Sequence, residues 1–345
     1  MRIAWRWMAP WCLMVSVALA GGEDKRAEAA RALLLRFHAD KAGCIEALKL
    51  DAAHLDNALR CVDRYARWLR PAQREPAWKS APAGIGADLF QREGSWWLAP
   101  WRGGALERAG VHRHARLLAI DGEKVAGLSR DELAARLRGA PDSVVCLELR
   151  IDRETRSPCL LRLRLAPRPV EWLGGRSLRI RRFRSHETRI LLQRMIEELG
   201  PDADKPLRID LRDNPGGDLH EALDCAALFL PPETPLARLH PLDGGADSMA
   251  RAPAALPSYR MPLWIEVGKD TASAAEIFAG VLQYHHRARL LGKKTFGKCV
   301  SQADFPLPDG SRLRLSNLAV RFPDGGGCEG RGLTPDAAAE PSATP

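Results

Sequence analysis

The chain has 345 residues, a formal net charge of +9 and 46% hydrophobic residues. This length exceeds what one hydrophobic core usually organises, so we expect about two or three domains. The basic residues are spread along the chain, and no basic stripe with interleaved stacking aromatics is present. The composition therefore predicts a globular protein with no nucleic-acid partner.

The first segment of the chain has the pattern of a secretory signal peptide. Arg2 and Arg6 precede an apolar run, and Ala18-Leu19-Ala20 offers the small residues of a cleavage site. The run is shorter than the roughly 20 apolar residues that a membrane-spanning helix needs, which makes an uncleaved anchor the second interpretation. We expect residues 1–20 to be removed and the mature protein to be exported to a bacterial periplasm.

All of the eight cysteines except Cys12 lie beyond the predicted signal peptide. They form no Cys-x-x-Cys pair and no cysteine–histidine cluster with zinc spacing, so we expect disulfides and no metal site. The residues alone leave the connectivity open. Sequence order suggests the pairs Cys44–Cys61, Cys146–Cys159 and Cys299–Cys328, with Cys225 free.

Two regions precede the largest predicted domain. Residues 21–75 carry apolar side chains at helical spacing, which predicts a helical region that extends to about Leu69. Residues 84–168 alternate short apolar runs with turns and contain one helix, for which Ser129 and Glu132 have the spacing of a capping box. We predict a small α+β domain there. Its predicted elements are the strands Leu117–Ile120, Val144–Ile151 and Cys159–Leu165, a polar turn at Asp152–Ser157 and the helix Asp131–Leu137.

From residue 173 to residue 338, strands and helices alternate, which predicts a layered α/β domain. Residues 339–345 are predicted to form a tail. The predicted strands are Leu178–Phe183, Leu207–Leu211, Leu263–Val267 and Arg289–Leu291, and the predicted helices are Glu187–Leu199, Leu219–Leu230 and Ala272–His286.

Ser273 lies where a buried strand leads into a helix. Free N–H groups and the positive end of the helix dipole favour a developing oxyanion at that position. Taken alone, a serine there is more often a helix N-cap. His285 and His286 end the same helix, about 18 Å along its axis, and are too distant to act as bases for this serine.

Two further segments offer partners for Ser273. Lys298 follows a helix and a strand that would return it to the same sheet edge, where burial beside a helix N-terminus would lower its pKa from about 10.4. The alternative is a solvated surface lysine. Gly216 and Gly217 end the turn Asp213-Asn214-Pro215-Gly216-Gly217 and allow the backbone to approach a substrate carbonyl. A phosphate-binding loop and a plain tight turn are the alternatives there.

Five sequence blocks, in this order, resemble the carboxyl-terminal processing proteases of peptidase family S41. The resemblance extends over residues 173–336 and implies a layered fold of the ClpP/crotonase type. The blocks are Leu211 to Gly217, Thr271 to Ile277, Gly292 to Lys298 with Gln302, Phe305 to Gly310, and Gly330 to Asp336.

The resemblance assigns roles to individual residues. It implies that Ser273 is the nucleophile, Lys298 is the general base and Gln302 orients the lysine. It implies an oxyanion hole formed by the backbone N–H of Ala274 and a glycine of the turn, of which Gly216 is favoured over Gly217. No cofactor or metal is required by this chemistry.

The region 84–168 resembles the PDZ domain that these proteases carry. Gly84, Ile85, Gly86 and Ala87 stand where the carboxylate-binding loop is found. Such a domain adds the carboxyl end of a protein as an extra strand and holds its terminal carboxylate with backbone N–H groups. The expected partners are therefore proteins or peptides with apolar C-terminal tails.

The expected function is an exported serine endopeptidase that cleaves proteins at or near their carboxyl ends. A non-catalytic peptide-binding scaffold is the main alternative. It is favoured by two departures from the family pattern, Ala275 in place of serine and Cys299 in place of glycine. A hydrolase of small acyl substrates would share the chemistry but would leave the small domain without a role.

Overall fold

A computed structural model describes residues 22–47, 59–69, 83–165, 167–200 and 204–338. The described residues form two compact units, one from those within 1–71 and 303–315 and one from those within 72–302 and 316–345. The predicted signal peptide and the predicted tail lie outside the described residues. Within the described residues, no helix combines the length and the apolar character needed to cross a membrane.

The first unit begins with helix α1 (Gly22–Phe37), a short 3-10 turn (Ala39–Lys41) and helix α2 (Ala42–Ala47). The prediction that the helical region continues to Leu69 is wrong, because Arg67–Leu69 forms strand β1. This strand pairs in antiparallel fashion with residues 312–314, and Trp68 Nε1 donates a hydrogen bond of 2.8 Å to Ser311 Oγ. A distant segment thus supplies the backbone partners that make this piece extended.

The small domain opens the second unit. It contains the predicted helix with its capping box, in which Ser129 N donates to Glu132 Oε2 at 2.8 Å. Part of the predicted polar turn at 152–157 is a short strand, because residues 154–156 pair with the preceding strand. The elements are β2 (Ala87–Arg92), β3 (Ser95–Pro100), α3 (Ala105–Arg108), β4 (Ala115–Ile120), β5 (Glu123–Lys124), α4 (Arg130–Leu137), β6 (Val144–Ile151), β7 (Glu154–Arg156) and β8 (Cys159–Leu161).

The larger α/β part follows, and every helix and strand predicted for it is present, with unchanged ends for Leu263–Val267 and shifted ends for the others. Its elements are β9 (Val170–Gly174), β10 (Ser177–Ile180), α5 (Thr188–Glu198), β11 (Leu207–Asp210), α6 (Leu219–Ala227), β12 (Pro235–Pro241), β13 (Ser248–Arg251), β14 (Leu263–Val267), α7 (Ala274–Tyr284), β15 (Arg289–Gly292), β16 (Val300–Pro306) and β17 (Arg312–Arg321). Strands β9, β12, β13, β16 and β17 were not predicted, since pairing with other strands rather than local apolar runs defines them.

The central sheet has the strand order β15-β14-β11-β10-β9, in which only β9 is antiparallel to its neighbour. The carboxyl ends of β11, β14 and β15 therefore lie along one edge of this sheet. In such sheets, ligand sites are found at the carboxyl ends of the strands. The three segments predicted to carry the chemistry follow these three strands.

The small domain and the α/β part have separate cores that meet at β2. Leu89 packs in the core of the small domain, whereas the next residue, Phe90, packs with Val170 and Trp172 in the larger core. Successive side chains of a strand point to opposite faces, so one strand can serve both cores.

All three suggested disulfides are present, Cys44–Cys61, Cys146–Cys159 and Cys299–Cys328. Cys225 is free and fully buried in α6, where burial raises the pKa of its thiol. The Cys225 side chain is thus a core residue rather than a reactive group.

Candidate active site

Ser273 occupies a strained position between β14 and α7. Its backbone has φ 58° and ψ −126°, a left-handed value of φ that a residue with a side chain rarely adopts. Strain of this kind costs about 1–3 kcal/mol and persists only where the surroundings enforce it. Ser273 N donates to Glu276 Oε2 at 3.0 Å, whereas the N–H of the next residue, Ala274, has no acceptor among the described residues.

Glu276 connects the serine to the lysine segment. Its side chain has no exposed surface, and Oε2 accepts hydrogen bonds from Ser273 N at 3.0 Å and from Lys298 N at 2.7 Å. Oε1 accepts from Thr295 Oγ1 at 2.5 Å and from Gly297 N at 2.7 Å. One buried carboxylate thus holds the backbone of both predicted catalytic residues.

Lys298 and Gln302 are in direct contact. Lys298 Nζ donates to Gln302 Oε1 at 2.5 Å, so the lysine side chain is directed along the start of β16. The next residue, Cys299, is bonded to Cys328, and its backbone N–H donates to Glu329 Oε2 at 2.7 Å. The lysine segment is therefore fixed on both sides, by Glu276 and by the disulfide.

The glycine turn is tied to the serine segment by its own buried groups. Asn214 Nδ2 donates to Ile180 O at 2.9 Å, and Asn214 O accepts from Ala272 N at 3.0 Å. The Asn214 side chain also accepts from Gly216 N at 2.8 Å, whereas Gly217 N has no acceptor among the described residues. The two turn glycines therefore differ, because the Gly216 N–H is occupied and the Gly217 N–H is free.

Both glycines are required by close backbone approach. A Cβ on Gly216 would lie 2.7 Å from Ala272 O and 2.8 Å from Ser273 Cβ. A Cβ on Gly217 would lie 2.0 Å from Phe183 O. The turn can approach Ser273 because Gly216 lacks a side chain, and it can approach Phe183 because Gly217 lacks one.

Charged residues at the end of β11 fix the segment that leads into the glycine turn. Asp210 is buried and accepts from Arg179 Nε at 3.0 Å and from Arg212 N at 3.0 Å. Burial alone would raise the pKa of Asp210, but the hydrogen bonds from Arg212 and the charge of Arg179 lower it below its usual value. Asp210 is therefore ionised and fixes Arg212 directly before the turn.

The predicted peptide-binding loop also contains free donors. Gly84 exchanges backbone hydrogen bonds with Leu163, whereas the N–H groups of Ile85 and Gly86 have no acceptor among the described residues. The following strand β2, which starts at Ala87, is the edge strand of its sheet. Gly86 has φ 69°, and a Cβ there would lie 2.6 Å from Gly104 Cα.

Five of the six predicted catalytic and oxyanion residues lie on segments that are hydrogen-bonded to Glu276 or belong to the turn at Asn214. The sixth, Gln302, accepts a hydrogen bond from Lys298. Sequence reasoning gave no role to Glu276, Asn214 or Asp210. A signal for Glu276 was present, since a glutamate three residues after Ser273 has the spacing of a capping box. No cluster of metal-ligating side chains occurs in the part of the chain that the structure describes.

The larger α/β part is similar to a known family of peptidases. Residues 177–339 match the model of peptidase family S41. The resemblance drawn from the five sequence blocks is thereby confirmed.

Two proteins with similar sequences are named as proteases. Over 256 residues the chain is 34% identical to a carboxyl-terminal-processing protease of Synechocystis sp., covering 70% of this chain and 58% of that protein. Over 299 residues it is 28% identical to a probable CtpA-like serine protease of Staphylococcus aureus, covering 84% of this chain and 60% of the relative. The chain thus spans about three-fifths of the length of these relatives.

A solved structure has the same fold. The photosystem II D1 C-terminal processing protease superposes with a TM-score of 0.52 at 22% sequence identity, covering 94% of this chain and 95% of that one. This likeness concerns the fold and supports the mixed α/β architecture.

Proposed function

We propose that this protein is a serine endopeptidase that cleaves proteins at or near their carboxyl ends, with Ser273 as nucleophile and Lys298 as general base. The carboxylate of Glu276 carries the proposal, because a single oxygen binds the backbone N–H of both residues. The match of residues 177–339 to peptidase family S41 and the proteases among the similar proteins support it.

In the proposed reaction, Ser273 Oγ attacks the carbonyl carbon of the scissile peptide bond while its proton passes to the neutral amine of Lys298. The C–N bond then breaks, and the lysine returns the proton to the departing amine. Water hydrolyses the resulting ester by the same route in reverse. Gln302 accepts a hydrogen bond from Lys298 Nζ and so directs the amine.

The negative oxygen formed during attack is assigned to two backbone donors, Ala274 N–H and Gly217 N–H. Both lack an acceptor among the described residues, whereas Gly216 N–H is already bound to Asn214 Oδ1. We therefore favour Gly217 over Gly216 as the donor from the turn, in contrast to the expectation from resemblance. Donors that are oriented before the reaction contribute most to stabilising such a charge.

In this proposal the small domain binds the substrate tail in the manner of a PDZ domain. A terminal carboxylate would bind the free N–H groups of Ile85 and Gly86, and the residues before it would pair with the edge of β2. Leu89, Leu137 and Leu163 line the adjoining cleft and would receive an apolar terminal side chain.

The proposal is tested with purified protein and an unfolded substrate protein that ends in an apolar tail. Ser273→Ala and Lys298→Ala should each abolish cleavage and leave the thermal unfolding curve unchanged. Lys294→Ala is the matched control, since Lys294 is an exposed lysine of the same segment, and should cleave normally. Cleavage that persists in Lys298→Ala would exclude the lysine as base.

The non-catalytic alternative predicts a different result. A scaffold would bind the tailed substrate without cleaving it and would leave Ser273 unmodified by an acylating serine reagent. The enzyme should acquire the adduct at Ser273, as detected by peptide mass spectrometry.

We also propose that the protein is exported after removal of residues 1–20. The support is the sequence pattern of Arg2, Arg6 and Ala18-Leu19-Ala20. N-terminal sequencing of protein recovered from a bacterial periplasm should begin at Gly21. An intact Met1 in the membrane fraction would favour the anchored alternative.

A further inference from the structure

The cleft beside the predicted carboxylate-binding loop, residues 84–87, runs along a helix and has one end at this loop. It has a volume of about 380 Å³ and lies between β2 and helix α4. Ala83, directly before the loop, exchanges two backbone hydrogen bonds of 3.0 Å with Gly139, two residues beyond the end of α4. The carboxyl end of α4 therefore lies beside the loop, and its amino end lies at the far end of the cleft.

Two arginines mark the two ends of this cleft. Arg130 and Arg138 both line it, with Ala134 between them; Arg130 and Ala134 share one face of the helix, and Arg138 directly follows its last residue. Neither arginine has an ion-pair or hydrogen-bond partner among the described residues. Arg130 is also a cation at the first position of a helix, where the dipole disfavours positive charge, so helix stability does not account for it.

The remaining charges around the cleft are already paired. Arg181 binds Glu171 at 2.8 Å, and Arg168 lies 3.8 Å from Asp88 and over the ring of Trp101. These carboxylates do not approach Arg130 or Arg138 within ion-pair distance. The cleft is therefore left with an excess of two positive charges, one at each end of α4.

We propose that Arg130 and Arg138 make this cleft selective for substrate tails that combine an apolar carboxyl-terminal residue with an acidic residue upstream. Arg138, at the end near the loop, attracts the terminal carboxylate. Arg130, at the far end, attracts the acidic side chain. This inference rests on the proposed reading of substrate tails by the small domain and specifies the class of tail.

The position of the acidic residue follows from the helix length. Eight residues of helix separate the two arginines by about 12 Å along the axis. An extended peptide advances about 3.3 Å per residue, so Arg130 stands beside a residue about two to four positions before the terminus. The cleft thus binds both the terminal carboxylate and an acidic residue a few positions before it.

The test measures binding with the Ser273→Ala protein and fluorescent peptides of ten residues that end in valine. Three peptides carry glutamate, glutamine or lysine three positions before the terminus, and a fourth is the glutamate peptide with an amidated terminus. In fluorescence anisotropy at low salt, the glutamate peptide should bind about two- to fivefold more tightly than the glutamine peptide, as expected for one exposed ion pair. Raising the salt to about 1 M should remove this preference.

Substitutions distinguish the role of Arg130 from that of Arg138. Arg130→Gln should remove the preference for glutamate and leave the glutamine peptide unaffected, and Arg130→Glu should reverse the preference in favour of lysine. Arg138→Gln should weaken every peptide with a free carboxylate to a similar extent. Arg150→Glu is the matched control, because Arg150 is an exposed arginine of the same domain outside the cleft.

Equal affinity for the glutamate, glutamine and lysine peptides would overturn the inference, as would an unchanged preference in Arg130→Gln. If cleavage of tailed proteins occurs without any preference, the proposed protease function stands and only the charge selectivity fails. If the peptides bind as expected but the unmodified protein does not cleave, the selectivity stands and the proposed activity fails. The two proposals are thus judged by separate measurements.

Discussion

Replacing Glu276 with glutamine tests whether one buried carboxylate aligns the serine and lysine segments. Glu276 accepts four hydrogen bonds, two at each oxygen, from donors on Ser273, Thr295, Gly297 and Lys298. Glutamine keeps the shape of the side chain but turns one acceptor into a donor. Whichever way the amide is oriented, at least one buried backbone N–H then faces another N–H.

The free-energy cost of Glu276→Gln follows from the groups that lose their hydrogen-bond acceptor. If the new amide nitrogen faces Thr295 and Gly297, the Gly297 N–H is left unpaired and the threonine hydroxyl must turn. A buried donor without an acceptor costs about 1–3 kcal/mol. The segment that carries Lys298 should therefore open more easily, by a factor of about 5 to 150 at 25 °C.

Amide hydrogen exchange measured by mass spectrometry gives this factor directly for a peptide that spans residues 295–302. The same variant should lose at least about tenfold in kcat/KM while it retains its affinity for tail peptides. Glu187→Gln is the control, since Glu187 is an exposed carboxylate at the start of another helix. Wild-type exchange and wild-type kcat/KM in Glu276→Gln would refute the assigned role.

Three further predictions concern other parts of the chain. Burial raises the pKa of Asp88 from 3.8 to about 6, against the opposing charge of Arg168, so the native state holds a proton that the unfolded state has already lost. Wild-type stability should fall relative to Asp88→Asn by about 2 kcal/mol as the pH rises from about 4 to 7, measured by urea unfolding; a difference that does not change with pH would contradict this. Replacing both Cys299 and Cys328 with serine opens a loop with a sequence separation of 29 and should cost about 3–4 kcal/mol, measured by the same method under oxidising conditions. Gly216→Ala should reduce kcat/KM by about 10- to 100-fold, because the new Cβ would contact Ser273 Cβ at 2.8 Å; an active variant would show that the turn can move.

Much of the site could be predicted because local patterns carry it. The strand β14 followed by a helix start placed Ser273, and the two glycines marked a turn that needs close approach. The disulfide pairs followed from sequence order, and all three are present. The assignment of Gly216 as the oxyanion donor depended on resemblance and did not include the Asn214 side chain, which occupies that N–H.

What could not be predicted depends on distant partners. Residues 67–69 have helical spacing but form a strand, because residues 312–314 supply their hydrogen-bond partners. The direction of the tail cleft likewise follows from the pairing of Ala83 with Gly139, which are 56 positions apart in the chain. Neither relation leaves a local signal.

The sequence by itself determined the principal helices and parallel strands of the α/β part and the candidate nucleophile and base. These depend on short-range periodicity, capping and turn chemistry, which neighbouring residues encode. Only the tertiary structure decided that one oxygen of Glu276 holds both Ser273 and Lys298, and that Gly217 rather than Gly216 has a free N–H. The reason is that a buried polar group is satisfied by whichever partner the fold brings within about 3 Å, and that partner is fixed by the packing of distant segments.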